Sequence, residues 1–211
     1  MTVWTVSRKN GGKIVFNDAD FQVFDDDTLA GRMVGIRTEI DPKFEGLAPL
    51  VIETLGFQTP IYAHVAKHLR RHKNPPMNTW VAFSANRRGY KMAPHIMIGF
   101  WDDRLFIWLA SLAENRERPE MIQRLTGMLP ELAHLSADYE ISPNHMAKVS
   151  SAISATSLAD QLTHYQQVKQ ADFLVGRQWL RGDALFTALD QQQTLLATVA
   201  ELRPFFEQLI Q

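Results

Sequence analysis

Residues 79–109 of this 211-residue chain read TWVAFSANRRGYKMAPHIMIGFWDDRLFIWL, and this stretch decides the fold class. It holds three apolar segments, residues 79–84, 95–101 and 105–109, whose aromatic and β-branched side chains favour strands. The turn Asn86-Arg87-Arg88-Gly89 separates the first two segments, and Asp102-Asp103 separates the last two. Consecutive strands joined by short turns predict an antiparallel meander.

Apolar residues recur at helical spacing on both sides of this meander. Upstream, the spacing from Thr28 to Ile40 predicts a helix, and Asp41-Pro42 predicts the start of a second helix. Downstream, the pattern predicts helices over residues 119–132, 158–168 and 183–211 and strands over residues 138–142 and 173–179. Helices that flank and interrupt a mainly antiparallel sheet indicate a single α+β domain over residues 16–211, after a poorly ordered lead-in over residues 1–15.

The composition excludes several classes of protein. The chain has no cysteine, which removes disulfides, thiolate nucleophiles, Cys-ligated zinc and iron–sulfur clusters. Hydrophobic residues make up 45% of the chain, so disorder is not expected. No segment reaches the roughly 18 to 20 apolar residues of a membrane helix, and the charges of the N-terminus follow its apolar part, unlike a signal peptide. We therefore expect a soluble cytoplasmic protein without a membrane partner.

The charges are distributed unevenly along the chain. The formal net charge is −1, from 22 Lys and Arg and 23 Asp and Glu. No acid lies between Glu53 and Asp102, a window of 48 residues that carries about +7 and leaves about −8 in the remainder. A surface of one sign concentrates ligands of the opposite charge, so this window is the candidate anion site. The acidic remainder could instead fold over the window and neutralise it.

Residues 62–71 are predicted to form a short helix, closed by Asn74-Pro75-Pro76. On such a helix His64 and His68 lie one turn apart on the same face, a spacing that can chelate a metal. However, Val65 occupies the place of the glutamate of a metalloprotease, and the neighbouring cations disfavour another cation. We therefore predict no metal site, and a basic helix face that either binds an anion or is simply solvated.

The guanidinium group of arginine and the imidazole of histidine bind phosphate or carboxylate, and an aromatic ring can stack on the rest of a ligand. The segment 64–75 and the turn 86–91 together carry these residue types. The predicted ligand-binding residues are His64, His68, Arg70, Arg71, Asn74, Trp80, Arg88, Tyr90, Lys91 and His95.

Other chemistry finds little support. No serine lies in a Gly-x-Ser-x-Gly elbow, and the chain has no P-loop and no Gly-x-Gly-x-x-Gly fingerprint. The three isolated histidines His134, His145 and His164 are predicted to be structural. The aromatic residues of the meander are predicted to be mainly core, although one on an open basic sheet face could stack a base.

One long stretch of the chain reads His64-Val65-Ala66-Lys67-His68-x-Arg70-Arg71-x-x-Asn74-Pro75-Pro76-x-x-x-Trp80-Val81-Ala82-Phe83, followed by Arg88-Gly89-Tyr90-Lys91-x-x-Pro94-His95. This stretch resembles the YktB family. This is a family of uncharacterised bacterial proteins, catalogued as domain of unknown function 1054. The resemblance implies a single α+β domain whose sheet is similar to the catalytic fold of biotin and lipoate ligases. It implies no activity, because fold similarity does not transfer chemistry.

Asn78 and Asn144 stand where the family often has aspartate. An amide cannot act as a general base, so these departures favour binding over carboxylate catalysis. The leading hypothesis is binding of a small anion such as a nucleotide or a phosphorylated or carboxylated metabolite. The alternatives are binding of RNA or single-stranded nucleic acid to the same surface, and an enzyme of ligase or transferase type.

Overall fold

The predicted meander forms the centre of the fold. In the computed structural model, which describes residues 15–211, one antiparallel sheet has the strand order β1-β2-β3-β4-β7-β5-β6. The strands are β1 Tyr62–Val65, β2 Asn78–Ser84, β3 His95–Trp101, β4 Arg104–Ser111, β5 Glu140–Ser142, β6 Ser151–Ala152 and β7 Phe173–Leu180. The helices are α1 Leu29–Gly35, α2 Asp41–Leu55, α3 Arg118–Leu132, α4 Ala155–Gln167 and α5 Gln191–Ile210. The predicted α+β class is confirmed.

The helices pack on one face of the sheet. Strand residues such as Val81, Ile98 and Ile107 point to this face and join side chains of α2, α3, α4 and α5 in the main hydrophobic core. A cluster of phenylalanine rings, in which Phe16 and Phe21 contact Phe100 edge to face, closes the core under the N-terminal segment. Both faces of β2, β3 and β4 are buried, which explains why these strands are continuously apolar rather than alternating.

The opposite face of the sheet has a second buried cluster. It contains Trp80, Trp101, Phe106 and Trp108, and within the described residues none of its members belongs to a helix. Loops cover this face instead, above all residues 143–150, which we call the crossing loop. Gln178 Nε2 donates to Ser150 Oγ over 3.0 Å, and Asn78 Nδ2 contacts Met146 Sδ at 3.9 Å, so the crossing loop spans the sheet from β7 to β2.

The first two helices are joined without a break. The π turn Ile36–Ile40 connects α1 to α2, and the N–H of Asp41 donates to the carbonyl of Ile36, five residues back. Pro42 lies in the first turn of α2 as expected, but the side chain of Asp41 does not cap the helix. Pro42 has no N–H and therefore could not donate to the carbonyl of Thr38 in a continuous α-helix. Pro49 lies inside α2, which continues to Leu55 and ends at Gly56 with φ 55°.

The predicted helix over residues 62–71 is wrong. Residues 62–65 form the edge strand β1, in register with β2 so that His64 faces Ala82, and residues 66–77 form a loop. Backbone pairing with β2 outweighs the weak helical spacing of this short segment, since propensity yields to tertiary context. His64 and His68 therefore do not share a helix face.

The other downstream elements match their predictions closely, including α3, α4 and β7. The closing segment forms a short 3₁₀ turn, Ala184–Thr187, and then α5, with Pro204 inside that helix. The predicted lead-in over residues 1–15 lies outside the described residues except for Val15. No helix of the described part has the length and apolar character needed to cross a membrane.

Candidate functional site

A cavity of about 550 Å³ lies on the face of the sheet that the loops cover. Six predicted site residues line it: His68, Arg70, Arg71, Trp80, Tyr90 and Lys91. Six further residues complete the lining: Ala66, Lys67, Leu69, Glu114, His145 and Met146. The structure thus brings together the two basic segments that the sequence analysis selected, and adds residues from two loops that it did not.

Trp80 forms the floor of the cavity. It lies on β2 opposite Gly99 of β3, and a side chain on Gly99 would meet Trp80 Cβ at 2.6 Å. The glycine therefore makes room for the indole. Trp80 is 6% exposed, and its ring lies edge to face against those of His68 and Tyr90, at centroid distances of 5.8 and 6.3 Å. Its indole N–H is buried beside the side chain of Tyr90, toward which it acts as a weak donor.

The loop 66–77 supplies most of the positive charge. His68 has φ 49°, uncommon for a residue other than glycine, and its carbonyl accepts from the N–H of Arg71 over 2.9 Å. This turn brings Arg70 and Arg71 to the rim of the cavity. Such uncommon backbone conformations are frequent at binding sites, where the surrounding structure holds them.

The rim of the cavity is positive. Four cations line it, Lys67, Arg70, Arg71 and Lys91, against a single carboxylate, Glu114. Glu114 comes from outside the acid-free window and lies 3.8 Å from Lys91, but both side chains are about half exposed. An exposed ion pair of this length is weak, so Glu114 leaves most of the positive charge in place.

His68 does not add to this charge at neutral pH. Burial, and to a smaller extent the positive charges of Arg71 and Arg37, lower the pKa of His68 to about 4. Its Nε2 lies 3.2 Å from Thr79 Oγ1. The ring therefore contributes shape and polarity, and the lysine and arginine side chains supply the charge.

Four predicted site residues lie outside the lining of the cavity: His64, Asn74, Arg88 and His95. His64 Nε2 donates to the carbonyl of Asn86 over 3.0 Å and so anchors the turn before Tyr90. Asn74 and Arg88 are exposed on their loops. His95 is fully buried beneath Tyr90, with 5.0 Å between the ring centroids.

His95 is a neutral core histidine. Its Nδ1 donates to the carbonyl of Ala93 over 2.9 Å, which leaves Nε2 as a buried acceptor without a partner in the described part of the chain. Burial lowers the pKa of His95 to about 4, with smaller contributions of both signs from its neighbours, including His145 and Asp172. Its role is to support Tyr90 from below.

This burial predicts a loss of stability in mild acid. The unfolded chain binds a proton at His95 near pH 6.5 and the folded chain only near pH 4, so the stabilising contribution is complete above pH 6.5 and is lost as the pH falls. Between pH 7 and pH 5 the free energy of unfolding should decrease by about 2 kcal/mol more in the wild type than in His95→Gln. Urea unfolding at both pH values measures this difference. The exposed His72→Gln should behave as the wild type, and an equal slope in His95→Gln would contradict the prediction.

The structure pairs His145 with Asp172, which the sequence analysis did not predict. His145 is isolated in the sequence and was predicted to be structural; in the structure its Nδ1 lies 2.6 Å from Asp172 Oδ2, and its ring is 6.1 Å from that of Trp80. Asp172 is 2% exposed and precedes β7, whereas His145 belongs to the crossing loop. No local motif links two residues 27 positions apart, so only the sheet topology could reveal the pair.

Asp172 is held as an anion. Its Oδ1 accepts from the N–H of Ala113 over 2.8 Å, and its Oδ2 accepts from both the backbone N–H and Nδ1–H of His145. Burial alone would raise the pKa of Asp172, but these hydrogen bonds and the charge of His145 hold it below its usual value. Residues 15–211 contain no group of three histidine or acidic side chains placed to hold a metal ion.

The sequence of the chain is similar to those of several bacterial proteins. Residues 16–206 match the profile of a family described as a domain of unknown function (DUF1054). The chain is 42% identical to a UPF0637 protein of Lactiplantibacillus plantarum, over 92% of this chain and 94% of the relative. It is 40% identical to a UPF0637 protein of Lacticaseibacillus casei, over 94% and 98%, and 35% identical to one of Oceanobacillus iheyensis, over 91% and 95%.

Proposed function

The chain belongs to the DUF1054 family, as its resemblance to YktB predicted, and we propose that it binds a small anionic molecule in the cavity above Trp80. The observation that carries the proposal is the convergence of Lys67, Arg70, Arg71 and Lys91 around a buried indole, against one exposed carboxylate. Lysine and arginine side chains bind an anion, and the aromatic floor can pack against an apolar or planar part of the same ligand.

The size of the cavity favours a metabolite over a polymer. Its volume of about 550 Å³ falls within the range of small-molecule sites, roughly 300 to 1,000 Å³. Single-stranded nucleic acids need exposed aromatic rings on which successive bases stack. Trp101, Phe106 and Trp108 are each at most 4% exposed, so these rings offer no such platform.

A second depression, of about 750 Å³ between α2 and β1, is less suited to an anion. Its lining is mainly apolar and includes Glu45 and Glu53, with Lys67 as its cation. Carboxylates beside an entering anion oppose its binding. The charges of the two depressions therefore favour the cavity above Trp80.

The proposal predicts that Arg71 is required for affinity. Calorimetry and thermal shift at low salt, across nucleotides and phosphorylated and carboxylated metabolites, should identify anions that stabilise the wild type. For those anions Arg71→Ala should weaken binding by about tenfold, the usual scale of one charge-assisted contact. Quenching of tryptophan fluorescence by the ligand should disappear in Trp80→Phe.

The matched control is Arg87→Ala, which removes an exposed cation from the same acid-free window but outside the cavity. Its affinity should stay within about twofold of the wild type, because distant surface charges are screened by salt. Stabilisation by no anion at low salt would refute the proposal. An equal loss in Arg87→Ala would show nonspecific attraction instead of a site.

A further inference from the structure

We infer that the anion bound in the cavity carries a saturated hydrocarbon chain, and that Leu69 and Met146 hold this chain at the opening of the cavity. The inference deepens the proposed function and rests on it, because the anionic group must first bind to the cationic rim. It favours a phosphorylated or carboxylated molecule with an aliphatic chain over a nucleotide. Three features of the site carry it: two exposed apolar side chains, the packing of the aromatic floor, and the charge of the rim.

Leu69 is the first of the two apolar side chains. It lies in the loop 66–77 immediately before Arg70 and Arg71, it lines the cavity, and it is 75% exposed. A single exposed leucine is common on a protein surface, but apolar side chains that meet at one cavity mark a place where an apolar group binds. Leu69 meets such a neighbour from a different loop, Met146.

Met146 belongs to the crossing loop, and hydrogen bonds hold its backbone in place. Its N–H donates to Asn144 Oδ1 over 2.8 Å, and the N–H of the preceding His145 donates to Asp172 Oδ2 over 2.8 Å. Its side chain lines the cavity and is 39% exposed. An unbranched thioether side chain changes its shape at low cost, so Met146 offers an adaptable apolar surface at a fixed position.

The aromatic rings of the floor are already packed against one another. The indole of Trp80 is buried, and three rings lie nearly perpendicular to it at centroid distances of 5.8 to 6.3 Å, those of His68, Tyr90 and His145. A nucleotide base stacks on an open aromatic face, which this arrangement does not leave on Trp80. The apolar surface that stays open to a ligand is therefore the aliphatic surface of the two loops.

The charge of the rim determines which molecule can cover this surface. Four cations line the cavity against the single carboxylate of Glu114. A second copy of the chain, docked through the same surface by a twofold axis, would bring these cations face to face. A neutral hydrocarbon would leave them unpaired. An anionic amphiphile meets both requirements, because its head can accept from Arg70 and Arg71 while its chain covers the adjacent Leu69.

The test measures how affinity depends on the length of the chain. Calorimetry at low salt compares methyl, butyl and octyl phosphate and, in parallel, acetate, pentanoate and nonanoate, all below the concentration at which they form micelles. Each fully buried methylene strengthens binding by about fourfold. Even with partial burial, the longest member of one series should bind at least about tenfold more tightly than the shortest. Adenosine monophosphate should bind more weakly than this longest member.

Variants separate the two parts of the site. Leu69→Ser and Met146→Gln should each reduce the ratio between the affinities of the longest and the shortest member by about threefold or more. Arg71→Ala should weaken both members about equally and leave this ratio unchanged. The matched control is Leu189→Ser, which removes a leucine of nearly the same exposure, 73%, outside the cavity lining and should retain the ratio.

A second measurement uses the wild type and so does not depend on the folding of a variant. With the methionine methyl groups labelled with ¹³C, protons of the bound chain should show nuclear Overhauser effects to Met146 but not to Met128, which is buried in the core.

Several results would overturn the inference: an affinity that does not rise with chain length, no contact of the chain with Met146, or tighter binding of adenosine monophosphate. Binding to vesicles of anionic lipid without binding of the monomeric amphiphiles would assign the surface to a membrane instead. Self-association that is lost in Leu69→Ser would assign it to a second copy of the chain. If other anions bind in these cases, the proposed function stands; if no anion binds, both fail.

Discussion

Replacement of Gly176 with alanine is expected to prevent the protein from folding. Gly176 lies in β7 opposite Trp108 of β4, at the centre of the sheet. A Cβ atom there would overlap the carbonyl oxygen of Ile107 and would lie 2.8 Å from the carbonyl carbon and 2.9 Å from Trp108 Cε3. Backbone atoms in the middle of a ladder cannot move aside, so the strands must separate. The predicted cost is at least about 4 kcal/mol, comparable to much of the stability of a small domain.

The control is Gly127→Ala in α3, where an added Cβ meets no atom within 4 Å outside its own helix. Alanine is the better helix former, so this variant should be more stable by about 0.5 to 1 kcal/mol. Soluble yield, circular dichroism and urea unfolding distinguish the two outcomes. A Gly176→Ala protein that unfolds within about 1 kcal/mol of the wild type would show that the approach of β4 and β7 is not essential.

Replacement of Arg32 with alanine is expected to cost about 3 kcal/mol and to weaken anion binding as well. Arg32 lies in α1 and is buried, and its guanidinium donates to three backbone carbonyls, those of Phe24, Asp26 and Pro76. Buried carbonyls left without donors cost about 1 to 3 kcal/mol each, reduced where water can enter. Because Pro76 lies in the loop that carries Arg70 and Arg71, loss of this hydrogen bond should also loosen the cationic rim of the cavity.

The control for Arg32 is Arg37→Ala, one π turn later and exposed to solvent. It removes the same charge from the same helical segment without breaking hydrogen bonds to buried carbonyls, so its free energy of unfolding should stay within about 0.5 kcal/mol of the wild type. Urea unfolding and calorimetry with an anion that binds the wild type measure the two effects. Equal stability of the two variants would refute the structural role of Arg32.

The meander was predictable because its signal is local. β2, β3 and β4 are apolar segments separated by short polar turns, and consecutive strands with short turns pair as neighbours. β1 was missed because it has four residues and gains its conformation from pairing with β2. Because residues 62–71 do not form a helix, His64 and His68 are not placed one turn apart on a helix face, as two metal ligands would be.

The candidate site was predicted in part. Arg70, Arg71 and Lys91 were predicted as ligand-binding residues because no acidic residue occurs over 48 residues of sequence around them. This absence can be read from the sequence without knowledge of the fold. The same property selected Arg88, which the turn directs to solvent, and His95, which the sheet buries. Counting charges identifies a basic segment but does not tell which of its side chains converge.

The sequence by itself determined the α+β class, the central meander and the basic segment, because periodicity and charge are properties of neighbouring residues. Only the tertiary structure decided that the helices pack on one face of the sheet and that loops cover the other face. It also decided that Glu114 lies at the cationic rim of the cavity. It alone brought His145 of the crossing loop to Asp172 before β7. Hydrogen bonds between segments so distant in the chain depend on the order of strands in the sheet, which no local pattern encodes.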